Sequence, residues 1–290
     1  MRIPSTESPA LCVDLHAHST ASDGALTPAA LVERAAIQGV QQLALTDHDT
    51  VAGLPEAARA AAASGVELVP GVEVSTLWKG REIHVLGLGV GSHPLLDQGL
   101  RWQQEQRWQR AGRIAERLTR CGLPGAMDTM SSAHGQAPSR SHFAAWLVEQ
   151  GAARDSAQVF KRYLGRHGRA WVYPTWVSLE TAVGWIHRAG GWAVIAHPFA
   201  YRMTGAWLRR LCAAFVQAGG DAVEVATGRA TPTQVRDAVG LALRHDLLAS
   251  CGSDFHRPDS GVELGCLPAL PHSVTPVWRA LGLRQAARGG

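Results

Sequence analysis

Lysine is almost missing from this chain: of its 28 basic Lys and Arg residues, only Lys79 and Lys161 are lysines. A catalytic mechanism that needs a lysine therefore has two candidates to draw on. Cysteine is sparse too, and Cys12, Cys121, Cys212, Cys251 and Cys266 form no Cys-x-x-Cys pair, which excludes a zinc finger and argues against a disulfide framework. No run of about 18 uninterrupted apolar residues is present, so a transmembrane helix is not expected. Residues 1–10 contain Pro4, Glu7 and Pro9 in place of the apolar centre of a signal peptide, and a cytoplasmic location is the expectation. No internal repeat is visible.

What remains is the composition of a soluble globular protein, with 290 residues, 46% hydrophobic and 18% charged. That length suits one large α/β domain or one domain with an insertion. The net charge of +4 permits an anionic partner such as a nucleotide without establishing one.

Short apolar runs at 12–16, 42–46, 67–74, 83–88, 192–196, 221–225 and 247–251 predict seven buried strands. Helical patterns at 28–38, 52–63, 179–188, 206–217 and 232–244 lie between most of them. Repeated βα units point to a parallel sheet closed by helices, and seven strands suggest a barrel one short of the usual eight. The rhythm breaks between the fourth and fifth strands for about a hundred residues, too long for a simple connection. Helical patterns at 100–121, 141–150 and 156–164 fill this stretch, and a further short one lies near 277–283. The expected organisation is a barrel from 11–98 and 180–290 with a helical insertion, or cap, at 99–179.

The chemistry collects at the strand ends. Asp14, His16 and His18 alternate at the end of the first strand and so share a face. Thr46-Asp47-His48-Asp49 ends the second, Glu73 lies on the third, His84 on the fourth, His197-Pro198 follows the fifth, and Ser253-Asp254-Phe255-His256 follows the seventh. Imidazoles and carboxylates without thiolate suit divalent ions such as Mn²⁺, Fe²⁺ or Zn²⁺. His16, His18, Asp23, His48, Glu73, His84, His197, Asp254 and His256 are too many ligands for one ion. They imply two or three, with Glu73 as the natural bridge. Asp14, Asp47 and Asp49 are candidates for orienting histidines from behind, and Asp14 and Asp49 are equally suited to capping turns. His93, His134, His167, His187, His245 and His272 have no such placement and are expected at the surface.

These motifs resemble the PHP (polymerase and histidinol phosphatase) family over about 11–90 and 190–260. The resemblance rests on His16-Ala17-His18, Thr46-Asp47-His48-Asp49, Gly71-Val72-Glu73, Ile83-His84, Ala196-His197-Pro198 and Ser253-Asp254-Phe255-His256. It implies a distorted seven-stranded (β/α)7 barrel with a helical insertion, and a trinuclear centre with metal ligands at all nine positions. Asp23-Gly24 and the insertion are similar to the subgroup of nucleoside 3′,5′-bisphosphate phosphatases, whose relatives include 5′→3′ exoribonucleases. The implied activity is release of the 5′-phosphate, with short RNA as a further substrate, by a metal-bridging hydroxide attacking in line. His16, His18, Glu73, His197 and Asp254 are then the catalytic set, manganese the expected metal, and His197 or a metal-bound water the general acid. No membrane association and no obligate protein partner are expected.

In the insertion, Ser139 and Arg140 open a helix where free N–H groups and a guanidinium favour an anion, and Arg169 adds charge. Ser139, Arg140 and Arg169 are therefore expected to bind substrate, the two arginines holding a second phosphate. Arg110, Arg113, Arg117 and Arg120 fall on one helix face, which solvation explains better than an RNA track. The segment 171–176 is more aromatic than the resemblance calls for and leaves base specificity open. The rivals are a histidinol-phosphate phosphatase, an amidohydrolase-type C–N or C–O hydrolase, and a scaffold without catalysis. Amidohydrolases with two metals commonly bridge them by a carboxylated lysine, and neither lysine here is placed for that.

Overall fold

The computed structural model describes residues 11–133 and 136–286. β1 (Val13–Asp14) leads by a long loop to α1 (Pro28–Ile37), followed by β2 (Gln42–Leu45), α2 (Leu54–Ser64), β3 (Glu67–Trp78) and β4 (Arg81–Leu88). A helical stretch comes next: α3 (Pro94–Arg120), α4 (Ala126–Ala133), α5 (Arg140–Glu149) and α6 (Ser156–Val159), the last continuing as a π-helical turn, Phe160–Leu164. The order ends with β5 (Val177–Ser178), α7 (Leu179–Arg188), β6 (Trp192–Ile195), α8 (Gly205–Gln217), β7 (Ala222–Thr227), α9 (Pro232–His245), β8 (Leu248–Gly252) and α10 (Val277–Ala286).

Local chemistry starts these helices. Thr27 accepts from Ala30 N ahead of Pro28, and Thr231 with Gln234 forms a capping box ahead of Pro232, so donors left free by the first turn are used. α3 begins at Pro94, earlier than the pattern near 100 suggests, because His93 caps it by accepting from Leu95 N.

Seven strands form the barrel in the order β1-β2-β3-β4-β6-β7-β8, and β5 pairs only with β3. The seam is nearly closed: Leu15 N donates to Cys251 O at 3.0 Å, and Ala17 bridges Phe255 in parallel. One expectation fails, since β4 runs antiparallel to both β3 and β6. Lys79 and Gly80 join β3 to β4 with φ of 47° and 73°. Two successive residues with positive φ make the tight turn that suits a twisted hairpin, and a parallel partner cannot be reached in so few residues.

Strand alternation sorts the core into two layers. Val13, Ala44, Val69, Leu86, Val194, Ala222 and Cys251 form a cluster to which every barrel strand contributes, joined by Val277 and Leu281 of α10. The opposite faces, with Val72, Ile83, Ile195 and Val223, pack on α7, α8 and α9. The insertion has a separate core, in which Ile114 and Leu118 of α3 meet Phe143, Trp146, Leu147, Val159 and Leu164. α3 reaches both cores, because Leu96 and Leu100 near its start pack on the barrel. Among the described residues no helix is long and apolar enough to cross a membrane.

Candidate metal centre and adjoining cleft

All nine expected ligands converge. Four groups bring their donor atoms within 4.8 Å of one another: His16, His18 and Asp254; His16, Glu73 and His197; His48, Glu73 and His84; and His18, Asp23, His48 and His256. His84 joins from near the start of β4, not its end, because that strand is reversed. It pairs across the hairpin with Ser75, which places it diagonal to Glu73, with Nδ1 3.0 Å from Glu73 Oε1.

Several backbone positions here are unusual. Asp49, His197 and Asp254 have φ of 51°, 27° and 56°, a region that side chains other than glycine rarely occupy. Each is held by the neighbouring chain, as where Asp49 N donates to Glu73 O at 2.8 Å and Asp254 N to His16 O at 2.9 Å. At Gly252 a Cβ would stand 2.2 Å from His16 Cβ and 2.8 Å from Glu224 Oε1, so only glycine lets His16 lie against β8. Gly24 is equally constrained, its missing Cβ falling 2.3 Å from His18 O.

The hydrogen bonds fix two tautomers. A carboxylate only accepts, so Glu224 Oε1, 3.0 Å from His16 Nδ1, puts the proton there and leaves Nε2 with a lone pair in the neutral ring. That lone pair faces His18 Nε2 at 3.1 Å, Asp254 Oδ1 at 3.4 Å and Glu73 Oε2 at 3.5 Å. Likewise His256 Nδ1 donates to Asp254 O at 2.9 Å and turns Nε2 toward Asp23 Oδ1 at 3.4 Å. Donors bound to one ion at about 2.1 Å stand roughly 3.0–3.4 Å apart, and the pairs here run from 2.9 Å between His48 and Glu73 to 3.9 Å between Asp23 and either His18 or His48. Among the described residues, Asp23 Oδ1, His48 Nδ1, Glu73 Oε2 and His197 Nδ1 are buried with no hydrogen bond of good geometry, although His48 Nδ1 and Glu73 Oε2 lie 2.9 Å apart. Buried orphans of this kind call for a ligand, and among the described residues no arginine or lysine pairs with Asp23, Glu73, Glu224 or Asp254. The residues present fit divalent cations.

Electrostatics agree. Burial opposes ionisation of Glu73, yet His48, His84 and His16 hold its carboxyl well below the usual range. Burial alone would depress His16, but Glu224, Glu73 and Asp254 raise it well above an ordinary imidazole. Burial takes His48 down to about 4, keeping it a neutral donor. The pocket demands positive charge.

Asp14, Asp47 and Asp49 do not orient imidazoles directly. Asp14 accepts from Ser253 N at 2.8 Å and Gly265 N at 2.9 Å, tying the loops after β8 to β1. Asp47 takes Ser19 N, Ser19 Oγ and Ser22 Oγ, and only Ser22 reaches His18, at 3.4 Å. Asp49 accepts from Ser75 N, Gln103 Nε2 and Arg107 Nε. Glu224 has the role expected of them: besides His16, it accepts from His197 N at 2.5 Å. The sequence signal for it was a lone carboxylate inside the apolar run of β7, and Glu224 is buried.

A cleft of about 180 Å³ runs from Asp23, His48, His84 and His256 to the insertion. Glu82, Arg107, Arg110, Ser139, Arg140 and Trp176 line its far side. Glu82 binds Arg110 Nη1 and Arg140 Nη2, each at 2.7 Å, and accepts from Trp176 Nε1 at 3.2 Å. Burial resists ionisation of Glu82, but Arg140 and Arg110 hold its carboxyl at about 2. Arg110 is buried, and among the described residues its Nη2 has no hydrogen-bond partner. Arg107 and Arg110 both lie over the Trp176 ring, at 5.2 and 5.3 Å. Of the residues expected to bind substrate, Ser139 caps α5 at the cleft and Arg140 lines it, while Arg169 is exposed and lines none of it. Arg110 was expected on a solvated face with Arg113, Arg117 and Arg120; it turns inward and the other three stay exposed. His93, His167, His187, His245 and His272 lie away from the centre, and His134 lies outside the described residues.

Comparison with known proteins gives a match to the PHP domain over residues 14–121. The 5′-3′ exoribonuclease Rnm of Escherichia coli is 47% identical over 274 residues, covering 93% of this chain and 94% of that protein. The chain belongs to the PHP family. The 3′,5′-nucleoside bisphosphate phosphatase of Chromobacterium violaceum is 43% identical over 276 residues, 94% of this chain and 97% of that one. A solved structure called an amidohydrolase, from Chromobacterium violaceum with bound sulfate and no metal, superposes with a TM-score of 0.89 at 43% identity, over 94% of this chain and 96% of that one. The family and the seven-stranded barrel expected for this PHP protein are borne out, and a hydrolase of phosphate esters agrees with the names of the two enzymes.

Proposed function

We propose that this PHP protein is a metal-dependent phosphoesterase that releases the 5′-phosphate of nucleoside 3′,5′-bisphosphates and also acts on short 5′-phosphorylated RNA. The observation that carries this reading is the cleft: Asp23, His48, His84 and His256 of the candidate metal centre line one wall and Arg110 and Arg140 on Glu82 the other, so a substrate with two phosphates has an anion site at each end.

His16, His18, Asp23, His48, Glu73, His84, His197, Asp254 and His256 would hold two or three divalent ions, manganese first among them. When bound, the ions supply a nucleophile at neutral pH and neutralise the phosphoryl oxygens. The chain's own residues do the positioning. Glu224 sets the His16 ring and the His197 backbone, Glu73 faces both halves of the cluster, and Arg110 Nη2 with Arg140 receives the 3′-phosphate. Arg169 has no part in that subsite. As one of the nine ligands, with Nε2 3.1 Å from Glu73 Oε1, His197 would be committed to the cluster and not free to protonate the leaving alkoxide. The insertion 99–179 serves as a cap over the barrel 11–98 and 180–290, shielding the reaction from bulk water.

The amidohydrolase reading is less well supported, because Lys79 and Lys161 are both exposed, while the Glu73 carboxylate lies between His16 and His84 and would be the bridge. The test is phosphate release from nucleoside 3′,5′-bisphosphate, nucleoside 5′-monophosphate, a short 5′-phosphorylated RNA and histidinol phosphate, side by side with Mn²⁺. Highest kcat/KM on the bisphosphate is expected. Preference for histidinol phosphate, or near-normal turnover by His18→Ala or Glu73→Ala, would overturn the assignment.

A further inference from the structure

On the other side of the Arg140–Glu82 pair lies a second hollow, of about 190 Å³, which shares those two residues with the cleft and adds Arg81, Arg166, Trp171 and Tyr201. Tyr201 links it to the metal centre: its hydroxyl accepts from His84 N and donates to Ala196 O, each at 2.9 Å. The rim is built from the β3–β4 turn and the segment after the π-helical turn. Both are unusual in composition. The turn carries Lys79, exposed with its ammonium 5.6 Å from the Trp78 ring, and Arg81, which lies over the Trp207 ring at 5.2 Å. The facing segment carries Trp171 and Tyr173, edge to face at 5.8 Å, with the Tyr173 hydroxyl beside Gly80. Arg166 is exposed, and Tyr173 is 50% exposed.

Tyr173 packs one edge on Trp171 and leaves half of its surface open to solvent, where a base could stack. Arginines and a lysine around it, with Glu82 already bound to Arg110 and Arg140, leave the hollow positive. Rings that stack bases beside cations that follow phosphates are the recurring device for holding a single strand without reading its sequence. We infer that this hollow is a binding site for single-stranded RNA, taking the nucleotides beyond the one in the cleft, with Tyr173 as a stacking platform and Arg166, Arg81 and Lys79 on the backbone. It rests on the reading of RNA as a substrate, and it explains how one active site would serve both a mononucleotide, which fills the cleft alone, and a chain, which continues past Arg140.

The test uses the Mn²⁺-loaded full chain and a 5′-phosphorylated single-stranded RNA of about ten nucleotides with cleavage-resistant phosphorothioate linkages and a 3′-fluorophore, followed by anisotropy, with the unmodified RNA serving to read cleavage. Tyr173→Ala and Arg166→Gln change exposed side chains and leave the fold intact. Tyr173→Ala should weaken RNA binding about tenfold, and Arg166→Gln should reduce the salt dependence by about one counterion. Both variants, assayed with Mn²⁺, should keep wild-type kcat and KM on nucleoside 3′,5′-bisphosphate. RNA held equally well by wild type and variants, no RNA binding by the wild type, or an equal loss on RNA and bisphosphate would each overturn the inference. RNA held by the wild type through these residues but never cleaved would support the site and refute RNA as a substrate.

Discussion

Glu224→Gln isolates the positioning of the metal centre, because it changes one atom and almost no volume. The Glu224 carboxylate accepts twice, from His16 Nδ1 at 3.0 Å and from His197 N at 2.5 Å. A glutamine side chain has one acceptor and one donor end. Whichever way it is turned, an N–H meets an N–H, either at the His16 ring or at the His197 backbone. If the ring is the loser, it moves its proton to Nε2 and the lone pair that faces His18, Asp254 and Glu73 is lost. If the backbone loses, a buried donor is left unsatisfied, at about 1–3 kcal/mol. Outer partners of metal-bound histidines typically contribute 10–100-fold to affinity, about 1.4–2.7 kcal/mol, and the variant is expected in that range. Mn²⁺ titration calorimetry on metal-stripped wild type and variant measures it directly. Activity at low Mn²⁺ should fall with it, and excess Mn²⁺ should restore much of the loss. Equal metal affinity in the two proteins would refute the role given to Glu224.

Other perturbations follow from the same geometry. Gly252→Ala drives a Cβ into His16 at 2.2 Å and should lower stability by about 1–3 kcal/mol, read as a shifted urea midpoint, together with a large loss of activity; a midpoint equal to wild type would count against the close packing of His16 on β8. Arg140→Gln should raise KM for the bisphosphate by about tenfold and change that for a 5′-monophosphate much less; equal effects on both would remove the second-phosphate site. Chelation should lower Tm, and re-added Mn²⁺ should restore it in a concentration-dependent way; a Tm indifferent to both would contradict ligation in the folded state. Glu82 has a folded-state pKa of about 2 against an ordinary 4.5, so its stabilisation is complete above about 4.5 and is lost as pH falls toward 2. The stability gap between wild type and Glu82→Gln should narrow across that window, whereas a gap independent of pH would mean that the Arg110 and Arg140 pairing is not its source.

The candidate ligands were legible because they sit in short motifs at strand ends, where alternation and barrel geometry force side chains together. His16, His48, His197, Asp254 and His256 needed only their position after a strand. The hairpin was missed because 67–74 and 83–88 look like separate strands until Lys79-Gly80 is recognised as a two-residue turn; the extra pairing at Ser75 to Trp78 carries too little periodicity to announce itself. That Arg110 faces the cleft while Arg169 faces solvent was hidden for a similar reason. On a helix, which arginine turns inward depends on a partner elsewhere in the chain, here Glu82, and that partner is invisible to local pattern. Asp14, Asp47 and Asp49 could be placed near the centre from sequence, but their contacts with backbone N–H groups of distant loops arise only from tertiary packing.

The seam between β1 and β8 has a consequence for how the barrel stays shut. β1 is only two residues long, so few ladder bonds hold that edge. His16 and His18 leave one side of it and Asp254 and His256 the other, so any ion they share is a clasp across the gap. Amide exchange at Leu15, His18 and Asp254, whose N–H groups span the seam to Cys251, Phe255 and His16, should then report on ion occupancy rather than on global unfolding. Metal-free protein would breathe along this one line while β3 and β4, zipped by a long ladder from Gly71 opposite Leu88 to Trp78 opposite Arg81, keep their protons. Loading of the centre and closure of the barrel become a single cooperative event.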